Sequence, residues 1–87
     1  MSKSIKYSIV VAVYNRPEEM EELLYSLNNQ SYKNFELIIV DDGSQMSSRD
    51  VYNFYKKKFQ ISYFFIDNQG PAMARNFGVN KASGEWI

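Results

Sequence analysis

The chain has neither cysteine nor histidine among its 87 residues. That excludes disulfides, thiolate zinc sites, thiol nucleophiles and Ser-His triads within it. A metal here would have to be held by oxygen, as magnesium, calcium or manganese are. Charge of one sign is missing too: ten Lys and Arg balance ten Asp and Glu, and the sequence pI is about 6.2. This balance gives no electrostatic reason to expect a nucleic-acid partner. The one basic cluster, Lys56-Lys57-Lys58, reads as a solvated helix end, where cations suit the dipole. No apolar run approaches the ~20 residues that cross a bilayer. The opening stretch MSKSIKYS has no apolar signal region. The absence of cysteine fits a reducing compartment, so the expected location is cytoplasmic or cytosol-facing.

What is there alternates between strand and helix patterns. Residues 5–13 hold the continuous apolar segment Ile9-Val10-Val11-Ala12-Val13, which suits a strand covered on both faces. Asn15-Arg16-Pro17 reads as a helix start, with Asn15 as cap and Pro17 in the first turn. Met20, Leu23, Leu24 and Leu27 follow at helical spacing. Residues 28–34 are turn-like. Phe35 to Val40 is a second unalternating apolar strand, and it stops at Asp41, Asp42 and Gly43. Ser47 or Ser48 can cap a second helix with Val51, Phe54 and Tyr55 facing inward. Ile61 to Ile66 is the third strand. Asp67-Asn68-Gln69-Gly70 is a loop, and Pro71 opens a third helix to about Ala82. Gly78 sits inside that helix at a cost of ~1 kcal/mol, which implies a tight helix–sheet contact. Gly84 suits a left-handed closing position. Glu85-Trp86-Ile87 begins a fourth strand, so the chain reads as the N-terminal piece of a longer protein.

Such alternation predicts an α/β fold: a parallel sheet with helices on both faces and its ligand beyond the carboxyl ends of the strands. Three segments fall on that rim, namely Tyr14-Asn15, Asp41-Asp42 and residues 67–70. A solvated turn is the plain alternative for the acidic pair. Asp41 in particular reads as structural, because adjacent strand side chains point to opposite faces. Tyr14 could merely cover the sheet end, and Arg75 could form a surface ion pair worth ~0–1 kcal/mol.

The order AVYNRPEEMEELLYSLNNQSYKNFELIIVDDGS, then DNQGPAMARNFGVNKASGEWI, resembles the N-terminal nucleotide-binding half of family 2 glycosyltransferases. No single element carries the likeness; their order and spacing from about Tyr7 to Ile87 do. The resemblance implies a three-layer Rossmann-like (GT-A) sheet that ends within its fourth strand, residues 1–87 being one incomplete domain. It implies transfer of a sugar from a nucleotide-diphosphate donor, a UDP-sugar by expectation, to an acceptor hydroxyl. Carried over by position, Tyr14 would lie against the nucleobase and Ala12 would line the same pocket. Asp42 would accept the imide N–H of uracil, and Asp41 would shape the loop or reach the ribose. Arg75 would approach the base or diphosphate, and Asn68 and Gly70 would form the loop at the third helix. An aromatic face stacks on a base for about 1–3 kcal/mol, and an unpaired site group costs ~1–3 kcal/mol, enough to select one. The family's Asp-x-Asp metal motif and its general base lie beyond Ile87. Manganese or magnesium is thus expected for the full-length enzyme, with no ligand and no catalytic residue in this chain, and no activity from it alone.

Two other classes compete. A receiver-like signalling module would use Asp67 as phosphoacceptor, but its acidic pair should follow the first strand, where Tyr14-Asn15 stands. A dinucleotide oxidoreductase would need G-x-G-x-x-G after that strand, and none is present. A third reading is a non-catalytic scaffold fragment whose open sheet edge pairs with a second copy, giving a homodimer or strand exchange.

Overall fold

The structure, a computed structural model, describes residues 7–84. Six elements alternate: β1 (Tyr7–Val13), α1 (Pro17–Asn28), β2 (Phe35–Asp42), α2 (Arg49–Tyr55), β3 (Ile61–Ile66) and α3 (Pro71–Lys81). The strands form one parallel sheet in the order β1-β2-β3, with Tyr7 opposite Phe35 and Leu37 opposite Ile61. The expected fourth strand, and the first two residues of the expected first strand, lie outside the described residues.

The central strand explains the layering. All eight β2 residues are buried, as an unalternating apolar run demands when both faces are covered. Its odd-numbered side chains Phe35, Leu37 and Ile39 pack with Met20, Leu24 and Leu27 of α1 and Tyr55 of α2. Its even-numbered Ile38 and Val40 pack with Ala74 of α3. Helices therefore cover both faces, giving three layers. At Gly78 the helix α3 lies close against the sheet. A Cβ there would lie 2.3 Å from Val10 Cγ1 and 3.1 Å from Val40 Cγ2.

Several local expectations are corrected. The N-cap of α1 is Arg16, with no side-chain cap, and Asn15 turns to another task. The C-terminal carbonyls of α1 are met instead by Lys33, whose Nζ donates to Leu27 O at 3.0 Å and Asn28 O at 2.6 Å. In α2 the inward residues are Val51, Tyr52 and Tyr55, while Phe54 is 67% exposed. At about 100° per residue Phe54 falls well off the centre of the stripe that the other three define. Ser48 holds the N-cap position of α2 without a side-chain cap, while Ser47 Oγ accepts Arg49 N–H at 3.0 Å. Both aspartates belong to β2, which extends two residues past Val40. Gly84 does not have a positive φ. Its lack of a side chain is needed for contact, since a Cβ would lie 2.6 Å from Ser8 Oγ and 2.8 Å from the Tyr7 carbonyl carbon.

The even face of β2 carries an acid near each end, and each holds one end of α3. Asp42 accepts Gln69 N–H at 2.8 Å and Gly70 N–H at 3.0 Å, just before the helix. Glu36 accepts Ser8 Oγ–H at 2.6 Å, Ser83 N–H at 2.7 Å and Ser83 Oγ–H at 2.9 Å, just after it. Burial by itself raises the Glu36 pKa. The donors Ser8, Ser83 and Gly84 together outweigh that and hold the carboxyl below its ordinary value. A carboxylate held down in the fold contributes stability above its unfolded value, and that contribution fades as pH falls through the folded value. Thermal unfolding should therefore show the chain losing stability below pH ~4.5, the ordinary carboxyl range. Glu36→Gln should be less stable by about 1–2 kcal/mol at pH 7 and should show a flatter acid limb. Parallel acid limbs in the two proteins would refute this account.

Candidate functional site

The three strands end on one rim, and β1 and β2 end on residues of contrasting chemistry. Val13 of β1 stands opposite Asp41 of β2, so Tyr14 leaves the sheet beside the acidic pair. Between them a cleft of about 580 Å³ opens. Ala12 and Tyr14 line it from the β1 side, Asp42 from β2, and Asn68, Gly70 and Pro71 from the loop that starts α3. Arg16, Glu19, Met20 and Leu23 of the α1 side close it with a mixed apolar and charged wall. Arg16 and Glu19 pair across 3.4 Å in an exposed position, a contact worth at most a few tenths of a kcal/mol or so.

The two adjacent aspartates look in opposite directions and do different work. Asp41 is fully buried on the α2 side. Its Oδ1 accepts Ser44 N–H at 3.0 Å, and its Oδ2 accepts the Tyr63 hydroxyl. Burial first, then the hydrogen bond to Asp41, pushes the Tyr63 phenol up to about 12, so it stays a donor at any physiological pH. Asp42 faces the cleft and the α3 start. Each oxygen already takes one backbone amide, from Gln69 and Gly70, and each carboxylate oxygen has a second lone pair to offer. Gly70 supports this geometry with φ +96°, in the region that favours glycine, and a Cβ there would meet open space. Gly43, at φ +77°, lets the turn after β2 press on Asn68, whose backbone nitrogen would lie 2.9 Å from a Cβ.

Of the residues expected at the site, Ala12, Tyr14, Asp42, Asn68 and Gly70 come together at the cleft. Asp41 does not reach it. Arg75 lies one turn beyond Pro71 on α3, exposed and off the cleft wall. Its side chain makes no hydrogen bond or ion pair among the described residues. Asn15 was expected on the rim as a helix cap, whereas its actual partners, and the parts played by Ser44 and Tyr63, were not anticipated. Asn15 Oδ1 accepts Gln45 N–H at 2.8 Å and Met46 N–H at 2.9 Å, and Asn15 N–H donates to Ser44 Oγ at 2.8 Å. The sequence signal for this was the asparagine itself, a residue that tolerates φ +54° and caps loops as readily as helices.

Among the described residues there is no group of three or more His, Cys, Asp or Glu that could hold a metal ion. Asp41 and Asp42 cannot share one, because they point away from each other and are already engaged. No helix among the described residues is long and apolar enough to cross a membrane.

A parallel sheet covered by helices on both faces, with a cleft at the carboxyl ends of its strands, defines a three-layer α/β domain. Residues 8–87 match glycosyl transferase family 2, and the chain belongs to that family. It is 40% identical over 85 residues to an uncharacterized glycosyltransferase of Rickettsia bellii, a match covering 98% of this chain and 12% of that protein. It is 36% identical over 85 residues to the GalNAc(5)-diNAcBac-PP-undecaprenol beta-1,3-glucosyltransferase of Campylobacter jejuni, covering 94% of this chain and 28% of that one. The crystal structure of S. aureus TarS 1-349 in complex with UDP superposes with a TM-score of 0.84 at 30% identity, covering 94% of this chain and 26% of TarS 1-349. The GT-A arrangement expected from the sequence is thus present. Curated relatives such as these are much longer: the chain spans between 12% and 33% of their lengths.

Proposed function

We propose that this chain forms the donor-binding part of a glycosyltransferase that moves a sugar from a UDP-sugar to an acceptor hydroxyl. The observation that carries the reading is the cleft, where Tyr14 and Asp42 face one space across the ends of β1 and β2. A uracil stacked on Tyr14 presents its imide N–H to the free lone pairs of Asp42, while cytosine has no proton at that ring nitrogen. Ala12 leaves room beside the ring. The diphosphate lies toward the start of α3, where the helix dipole favours anions. There the exposed guanidinium of Arg75 can take two phosphate oxygens. TarS is crystallised with UDP and with UDP-GlcNAc, which supports this choice of nucleotide.

Manganese or magnesium would be supplied with ligands from outside this chain, and so would the base that deprotonates the acceptor. The chain alone is then a binder without turnover, and the acceptor is selected elsewhere. A place in the cytoplasm, at the cytosolic face of a membrane, belongs to the same proposal. So does pairing of two copies along the outer edge of β1, which has no strand partner among the described residues.

The test is titration of UDP and GDP into the chain, with and without manganese, followed by amide shifts. UDP should bind more tightly than GDP, perturb residues 12–14, 42 and 68–70, and respond little to manganese. Equal affinity for the two nucleotides, or shifts that avoid this rim, would overturn the reading.

A further inference from the structure

We infer that Asn15 is a positioning residue: it locks the β1–α1 loop onto the β2–α2 loop and thereby sets the Tyr14 ring opposite Asp42. The inference rests on the pyrimidine-cleft reading given above. It goes beyond it, because Asn15 itself is not among the residues that line the cleft between β1 and β2.

Tyr14 is 47% exposed and makes no side-chain hydrogen bond among the described residues. The placement of its ring therefore depends on the backbone that carries it, which runs directly into Asn15. Asn15 holds φ +54°, a left-handed conformation that is unfavourable for a residue with a side chain. Glycine would adopt it at less cost, so conformation alone does not account for an asparagine. The carboxamide does. Its single oxygen Oδ1 accepts two successive amides, Gln45 N–H and Met46 N–H, from the other loop. Met46 is exposed and Gln45 is exposed, so these bonds hold a loop that has little packing of its own.

The backbone of Asn15 completes the tie. Its N–H donates to Ser44 Oγ at 2.8 Å. Ser44 N–H in turn donates to Asp41 Oδ1 at 3.0 Å, and Asp41 takes the Tyr63 hydroxyl. One continuous set of hydrogen bonds thus runs from the residue beside Tyr14, through the turn after Asp42, to β3. Asp42 faces the other side of the sheet and is fixed by a separate pair of bonds. Asn15 joins the aromatic wall to the strand end that bears the carboxylate.

The test uses uridine, which has no phosphate, so that a new charge at position 15 does not act on the ligand directly. Affinity is read from amide shifts of the 87-residue chain. Asn15→Gly keeps the φ and deletes the acceptor; it should weaken uridine binding about tenfold with the sheet amide shifts unchanged. Tyr14→Ala alone should weaken it by a similar factor. In the Tyr14→Ala background, Asn15→Gly should add less than about a twofold loss, since coupled residues are non-additive. Asn15→Asp, which tolerates the same φ and accepts the same amides, should bind within about twofold of the unaltered chain. Wild-type affinity in Asn15→Gly, losses that multiply in the double variant, or failure of Asn15→Asp to bind would each overturn the assignment. Absence of uridine binding by the unaltered chain would instead remove the cleft reading beneath it, and the first titration tells these cases apart.

Discussion

Gly78→Val is expected to lower the midpoint of thermal unfolding by roughly 12 °C or more, the equivalent of about 3 kcal/mol in a domain of this size. The first atom added already lies 2.3 Å from Val10 Cγ1. Val10 is β-branched and stiff at χ1, and Val40 on the next strand bars escape in that direction. Either α3 lifts from the sheet or Val10 leaves its rotamer. Stability here is of the order of 4–13 kcal/mol for 87 residues, so such a loss removes much of it. Gly78→Ala should be milder, because its better helix propensity returns about 1 kcal/mol. Val10→Ala should partly rescue Gly78→Ala by clearing the contact. Circular dichroism melts of the four proteins check this, and a midpoint for Gly78→Val within about 2 °C of the parent would show that α3 stands further off than described.

The second large effect concerns binding. Asp42→Ala should abolish the preference for UDP over CDP and reduce UDP affinity by at least about tenfold, the effect of one lost charge-assisted hydrogen bond and a loosened loop. Asp42 holds the Gln69 and Gly70 amides as well as facing the cleft, so the variant tests two functions at once. Asp42→Asn separates them. Its remaining carbonyl can keep one loop amide, while its NH₂ sets a donor against the imide donor in place of an acceptor. Discrimination should therefore vanish even where the loop stays ordered. Calorimetric titration of both nucleotides against the three proteins gives the answer. A retained UDP preference in Asp42→Asn would mean that the base is read by something other than this carboxylate.

Much of the scaffold was legible in the chain. The unbroken apolar run of β2 announced burial on two faces, and every one of its residues is buried. Gly78, costly inside a helix, announced the close α3–sheet contact. The alternation of elements placed Tyr14, Asp42 and the 68–70 loop on one rim. The opposite orientation of Asp41 and Asp42 followed from strand geometry alone. What could not be read was the use of polar side chains between distant segments. Asn15 sits where a helix cap would sit, and only the three-dimensional nearness of residues 44–46 shows that its oxygen serves them. Glu36 is a single acid in an apolar strand, and no local pattern reveals that its partners are Ser8 and Ser83, 28 and 47 residues away. Phe54 and Tyr52 differ only by their angle around a seven-residue helix, too short for periodicity to decide which faces inward. Family resemblance supplied roles for Arg75 and Asp41 that the rim geometry by itself does not.

The division of labour along β2 has a consequence for how this domain can change. Asp42 and Glu36 share one face while Asp41 takes the other, and the face of each is dictated by parity. Adding or deleting one residue between Glu36 and Asp42 would reverse the parity of one acid relative to the other, turning one of the two helix-holding acids toward the apolar packing of α1 and α2. Side chains here can drift singly, but the length of this strand is frozen, and divergence among such domains must be taken up in the connecting segments.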